Sequence, residues 1–171
     1  VQIETHVENQ LYSFTVVGHP DNAVRESRER VSAAIKNSEL QLPNKKYTVN
    51  LAPADIRKEG SAFDLPIALG ILSATGQIPI SSLNETIVLG ELALDGALRS
   101  VRGTLAIALE AKFQNIKRII LPKGNAEEAA LVDNLEVIAV ESLKEAVDIL
   151  NVINSPNYFK IEKEKLFSNK Y

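Results

Sequence analysis

The chain has no cysteine, no methionine and no tryptophan among its 171 residues. Without thiols there is neither a structural disulfide nor a thiolate zinc site, and two histidines, His6 and His19, are too few for an imidazole-based metal centre. No metal site is expected, and a reducing compartment fits. Long apolar runs are missing too. Nothing approaches the roughly 20 residues that a membrane span needs, and the N-terminus has no basic segment or long apolar core of an export signal. A cytoplasmic chain with no membrane partner is the expectation.

A surplus of positive charge is also absent. Residues 1–125 carry 14 Lys and Arg against 13 Asp and Glu, residues 126–153 carry 1 against 7, and residues 154–171 carry 4 against 2. Domains that bind nucleic acid unaided usually declare a basic excess. Here there are only local basic patches and one acidic end. Phosphate-binding motifs are missing as well: none of the eight glycines is followed by Lys, so no P-loop exists, and neither Gly-x-Gly-x-x-Gly nor His-Glu-x-x-His occurs. No nucleotide or other cofactor is expected to bind this chain.

What is present is a chain, 45% hydrophobic, long enough for one cored domain. It is organised around residues 46–72. Tyr47, Val49 and Leu51 alternate with polar residues as a strand does, whereas Leu65, Ile67, Ala68, Leu69, Ile71 and Leu72 make a helix that is apolar all round and must be buried. Between them a ten-residue loop, Ala54 to Phe63, concentrates Asp55, Arg57, Lys58, Glu59, Gly60 and Ser61. Asp64 is the expected N-cap, and Pro66 falls in the first turn, where a missing N–H costs nothing.

Residues 1–8 alternate as a half-buried strand with His6 on the solvent side, and residues 12–17 read as a second strand. A chain that begins inside a strand, without Met, reads as an excerpt of something longer. Asp21 caps a helix over 22–37, whose Arg25/Glu29 and Glu26/Arg30 pairs stand at i,i+4. Arg25, Arg28 and Arg30 therefore form either a salt-bridged surface or a set of phosphate or partner contacts. A strand is expected over 86–92, and Asp95-Gly96 marks a hairpin whose return is 98–101. Gly90 within that strand marks a bulge or a close backbone approach. A helix at 103–114, with Leu105, Ile107, Ala108, Leu109 and Ala111 inward, precedes a strand at 117–121. A short helix near 125–132, a strand at 135–140 and a helix from Ser142, with Glu145 completing a capping box, close the domain. Alternating strands and helices in the second half point to parallel pairing and the first half reads as antiparallel hairpins, so the class is α+β with mixed sheets. Residues 1–153 form the domain, and the charged segment 154–171 reads as a linker or tail.

The runs FTVVGHPDNAVRESRERVSAAIKNS, TVNLAPADIRKEGSAFDLPIALGI and GELALDGALRSVRG closely resemble the N-terminal domain of the magnesium-chelatase-related AAA+ proteins, the ComM/YifB group. The resemblance covers about 140 residues. It implies a domain truncated at its N-terminus, followed in the longer protein by an AAA+ ATPase module that uses ATP and Mg and assembles as a hexamer. That protein would drive DNA branch migration during natural transformation.

This domain is in turn similar to the proteolytic domain of Lon protease, a ribosomal protein S5 domain 2-like fold, and to the non-proteolytic C-terminal domain of RadA. In Lon the loop corresponding to Lys58-Glu59-Gly60-Ser61-Ala62 bears the nucleophilic serine, at the position of Ala62, and the lysine base falls at Leu105. Both members of that pair are absent here. Lys112 stands seven residues past Leu105, roughly 10 Å along a helix, too far for direct proton transfer. The leading expectation is thus a non-catalytic assembly and interaction domain. It would contact neighbouring subunits, its own ATPase module and DNA or another partner through Arg57, Lys58, Arg99 and Arg102, with Arg25, Arg28 and Arg30 as a second set. The alternative for each is a local ion pair. The alternative for the whole is a divergent serine peptidase using Ser61. With no exposed apolar run legible, the isolated chain is expected to be monomeric or weakly self-associating.

Overall fold

The computed structural model describes residues 1–153; the expected linker at 154–171 lies outside the described residues. In chain order the elements are β1 (Gln2–Glu8), β2 (Ser13–Val17), α1 (Asn22–Arg25), α2 (Ser27–Asn37), β3 (Lys46–Ala52), α3 (Asp64–Ala74), β4 (Thr86–Val88), β5 (Glu91–Leu92), β6 (Leu98–Arg99), α4 (Thr104–Phe113), β7 (Arg118–Pro122), α5 (Ala126–Ala130), β8 (Glu136–Val140) and α6 (Leu143–Ile153). Short 3-10 turns span Ile80–Leu83 and Lys123–Asn125. Parallel and antiparallel pairings coexist, so the architecture is mixed α+β.

The expected hairpins of the first half do not form. The sheet runs β1-β3-β2, with β1 antiparallel and β2 parallel to the central β3. The helical segment α1–α2 between β2 and β3 is long enough to carry the chain back over the sheet, which delivers β3 parallel to β2. The strand with the most regular apolar alternation thereby takes the middle, and Tyr47, Val49 and Leu51 are fully buried. In register, Val49 lies between Thr5 on one side and Val16 on the other. α3 packs on β1 and α2, buried on all sides as its composition requires. The expected helix over 22–37 is interrupted at Glu26 into α1 and α2, with Asp21 capping as foreseen: its Oδ1 accepts from Val24 N at 2.8 Å.

The second sheet is parallel, in the order β4-β7-β8. The expected strand over 86–92 breaks at Leu89-Gly90, so that β4 stays in this sheet while β5 turns off to pair with β6. Gly90 is a close approach: a Cβ there would lie 2.9 Å from Leu98 Cδ2 and 3.4 Å from Leu65 Cβ. The β5–β6 hairpin around Asp95-Gly96 leans over the carboxyl end of β8, where Leu98 N donates to Glu141 O and Leu143 N donates to Gly96 O, both at 2.8 Å. Its return strand is two residues, shorter than the expected 98–101. At the start of α6, Glu145 N donates to Ser142 Oγ at 3.1 Å, and the Glu145 carboxylate reaches back to Glu141 N at 2.9 Å, one residue beyond the expected capping-box partner.

Successive side chains of β7 and β8 serve two cores. Ile120, Ile138 and Val140 join α3 and α6 in one cluster, whereas Ile119, Leu121 and Val137 join α4 and α5 in another. α4 and α6 therefore cover opposite faces of the sheet. α4 departs from expectation. Thr104, Ala108 and Ala111 are its buried face, while Leu105, Leu109 and Phe113 are 38%, 52% and 84% exposed. Two of the residues expected inward point outward, because small residues alone let this helix sit close on the sheet and the large ones are left on the far side.

Candidate functional site

The charged loop after β3 is not a free excursion. Lys58 N donates to His19 O at 3.0 Å and Asp21 N donates back to Lys58 O at 2.9 Å, a two-residue parallel bridge that straps the loop to the turn between β2 and α1. Asp21 adds a second clamp: while Oδ1 caps α1, Oδ2 accepts from Gly60 N at 3.1 Å. Gly18 makes the approach feasible, since a Cβ there would stand 2.1 Å from Leu51 O.

Within this strap Lys58 points inward. It is 1% exposed, and its Nζ donates to Gly18 O at 2.7 Å and to Pro53 O. No carboxylate lies within ion-pair distance of it among the described residues, so carbonyl dipoles alone balance the ammonium. This corrects the assignment of Lys58 to DNA or partner contact, because its three donors face the loop interior. Arg57 points the other way, exposed and 3.5 Å from the Glu59 carboxylate. The signal was available: in extended backbone, alternation places Lys58 opposite Arg57 and Glu59.

Arg30 is also drawn inward, which corrects its place among the contact residues. Its Nε and Nη2 grip Asp64 Oδ2 and Oδ1 at 2.7 and 3.0 Å, and Nη2 also reaches Ala23 O at 2.7 Å. Asp64 is fully buried and also accepts from Ser27 Oγ at 2.6 Å and Leu92 N at 3.0 Å. It does not cap α3, whose N-cap is Phe63 with no side-chain bond. Instead it joins α2, α3 and β5. The hydrogen bond to Asp64 raises the Arg30 pKa, opposed by burial and reinforced by the charges of Asp64, Glu91 and Glu26.

The remaining basic residues lie at the surface. Arg28 donates to Arg25 O and Phe14 O, Arg99 lies 3.8 Å from Glu91, and Arg25 and Arg102 have no carboxylate within ion-pair distance among the described residues. Arg25 follows the turn to which the Arg57 loop is strapped, so the fold brings those two to one end of the first sheet. Arg99 and Arg102 flank Val101, whose N–H and C=O are both held by the Asn125 side chain, at 2.9 and 2.8 Å. Sequence reading missed Asn125, since a lone Asn after a strand carries no distinguishing pattern. Ala62 and Val101 pack on the same cluster, so loop and turn border one region.

No hydrogen bond joins the Ser61 hydroxyl to a base among the described residues, and its carbonyl accepts from Asp64 N at 3.2 Å. Ala62 O accepts from Gly90 N at 3.0 Å, and Leu105, the second residue of α4, lies at the surface. Among the described residues no group of three His, Asp or Glu side chains could hold a metal ion, and no helix is long and apolar enough to cross a membrane.

Comparison with known proteins covers the same stretch. A family model described as subunit ChlI of Mg-chelatase matches residues 3–125. The competence protein ComM of Haemophilus influenzae is 43% identical over 151 residues, which is 88% of this chain and 30% of that protein. YifB of Escherichia coli is 42% identical over 144 residues, 84% of this chain and 28% of its own length. Lon protease 2 of Bacillus subtilis is 31% identical over 121 residues, 67% of this chain and 21% of that protein. The chain thus spans less than a third of the length of these relatives.

Proposed function

The chain belongs to the Mg-chelatase subunit ChlI family, in its ComM/YifB group, and from that premise we propose that it is the non-catalytic N-terminal domain of a ComM-type AAA+ ATPase. In this reading the fold is Lon-like, the missing ATPase module supplies the ATP and Mg chemistry, and the domain serves ring assembly and DNA contact in the cytoplasm during branch migration. The observation that carries the non-catalytic part is the fate of the loop's cation: Lys58 is spent on Gly18 O and Pro53 O, and among the described residues Ser61 has no hydrogen-bonded base. Arg57 and Arg25, both exposed at one end of the first sheet, are the DNA contacts, with Arg102 beside them in role.

The test is a DNA titration of the full-length protein at several salt concentrations. Replacing Arg25 and Arg57 with Ala should flatten the salt slope by about 0.9 for each lost phosphate contact. An unchanged slope and branch-migration rate would leave Arg57 to its ion pair with Glu59 and Arg25 to the solvated surface. Casein cleavage abolished by Ser61→Ala would establish the peptidase reading instead.

A further inference from the structure

α4 shows an apolar stripe that nothing among the described residues covers. Leu105, Leu109 and Phe113 recur every fourth residue, so each lies about 40° further round the helix and the stripe runs about 12 Å along it. The face is flanked by Arg102 and Lys112, neither of which has a carboxylate within ion-pair distance among the described residues. Glu110, by contrast, is engaged by Gln114 Nε2 at 2.7 Å. The charge beside the stripe is therefore positive on balance, two cations without a carboxylate partner against one carboxylate held by a neutral amide.

A surface of matching character lies on the other side of the β4-β7-β8 sheet. There the 3-10 turn Ile80–Leu83 lies against α6, and Asn151 Nδ2 donates to Gln77 O at 3.3 Å, fixing the end of that helix to the same segment. Ile80 is 77% exposed and Val152 39%. Asp148, one turn before Val152 on α6, and Glu85, two residues past the Ile80–Leu83 turn, are exposed, with no cation within ion-pair distance among the described residues. One face of the domain thus offers apolar side chains among unpaired cations, and the opposite face offers apolar side chains among unpaired carboxylates.

We propose that the α4 stripe docks on the Ile80–Val152 surface of a second copy of this chain, head to tail. Complementary patches on opposite faces make a heterologous contact, which propagates from copy to copy and closes into a ring when the rotation allows. A two-fold pairing of α4 with α4 would instead bring together two stripes edged by the same cations. The inference names the surface for the ring-assembly part of the proposed function and rests on that part alone; the DNA titration above is independent of it. One short stripe gives a weak contact singly, and linked copies in a ring multiply it.

Sedimentation velocity of the 171-residue chain, over about 10 to 300 µM, reads the contact. The sedimentation coefficient should rise with concentration. Phe113→Ser and Leu109→Glu should each weaken association about tenfold, with unchanged circular dichroism and melting as the folding control. Lys112→Glu and Asp148→Lys should each weaken it several-fold, and the two together should bring it back within about threefold of the parent, because each exchanged charge again meets its opposite on the next copy. A parent chain that stays monomeric throughout overturns the proposal. So does a double variant no better than the singles, which would mean that α4 meets some other surface.

Discussion

Around β3 three charged side chains turn inward, Lys58, Arg30 and Asp64, whereas on the far side of the β7–β8 sheet three large apolar side chains of α4 turn outward. Each inward charge is answered by the fold: Asp64 accepts four hydrogen bonds, Arg30 clasps it, and Lys58 donates to two carbonyls. The outward leucines and phenylalanine have no such answer among the described residues. The first region is finished on its own, and the second is complementary to something outside it. Buried polar groups that are fully paired hold a structure in one arrangement, while a contiguous exposed apolar patch marks a surface for binding.

The largest test of that contrast is Asp64→Ala. It strips Arg30, Ser27 Oγ and Leu92 N of their common acceptor, leaving the guanidinium only the mostly exposed Glu26 carboxylate at 3.6 Å. Breaking one side of a buried pair costs about 3–5 kcal/mol, to be read by urea unfolding. A loss below about 1 kcal/mol would show that the clasp is a solvated surface pair after all. The raised Arg30 pKa adds no pH signature at ordinary alkalinity. Its stabilising contribution is complete below the ordinary arginine range and declines only as pH climbs beyond it.

How much of this was legible in the sequence differs between the regions for physical reasons. The strand-loop-helix core at 46–72 was readable because strict alternation and an all-apolar helix each permit one environment. Strand order was not, since β1 and β2 are chain neighbours and only the crossover through α1–α2 decides that β3 comes between them. Asp64 and Lys58 were misread because local grammar offers a cap and a surface charge at those places, and their partners Arg30, Gly18 and Leu92 are distant along the chain. In α4 periodicity failed because Leu105, Ile107, Ala108, Leu109 and Ala111 are all apolar, so no stripe distinguishes in from out. Only the packing of Ala108 and Ala111 against the sheet shows which face is buried.

A smaller effect is expected from Lys58→Met, which keeps the stem but leaves Gly18 O and Pro53 O without their donor. Loss of both bonds, with Pro53 O keeping only the Ile56 amide at 3.4 Å, is offset by the removal of a buried charge and should leave a loss of about 1–3 kcal/mol. The change should be local: hydrogen exchange should quicken at the Asp21, Lys58 and Gly60 amides and stay slow in β8. Added ammonium or methylamine should restore protection where sodium at equal ionic strength does not. Unchanged exchange at those three amides would separate Lys58 from the strap.

Tyr47 gives a pH-dependent comparison inside the first region. Its hydroxyl donates to Pro43 O at 2.6 Å, and burial, with a lesser effect of Tyr12, pushes the phenol pKa up from 10.0. The folded state holds this proton more tightly than the unfolded chain. Stability is therefore intact below pH 10.0 and falls as pH rises above it. Tyr47→Phe should lower stability at neutral pH by about 1 kcal/mol through the lost hydrogen bond. It should also flatten the alkaline decline by at most about 1.4 kcal/mol per pH unit. Parallel alkaline limbs for parent and variant would assign the decline to other groups.

The smallest effect is expected on α4, and it sharpens the comparison by placing both behaviours on one helix. Ala111 and Phe113 are two residues apart, yet Ala111 is fully buried and Phe113 is 84% exposed. Introducing Glu at 111 forces an unpaired carboxylate into the cluster around Ile119 and Leu121, a change that belongs with the severe ones. Introducing Glu at 113 leaves the folded monomer within about 0.5 kcal/mol of the parent, since the ring it replaces was already in water. Thermal melts at low concentration, where copies are apart, separate the two. A large loss from Phe113→Glu under those conditions would mean that the aromatic ring is held by its own chain. The outward face of α4 would then be part of the domain's own core, and not a surface awaiting a partner.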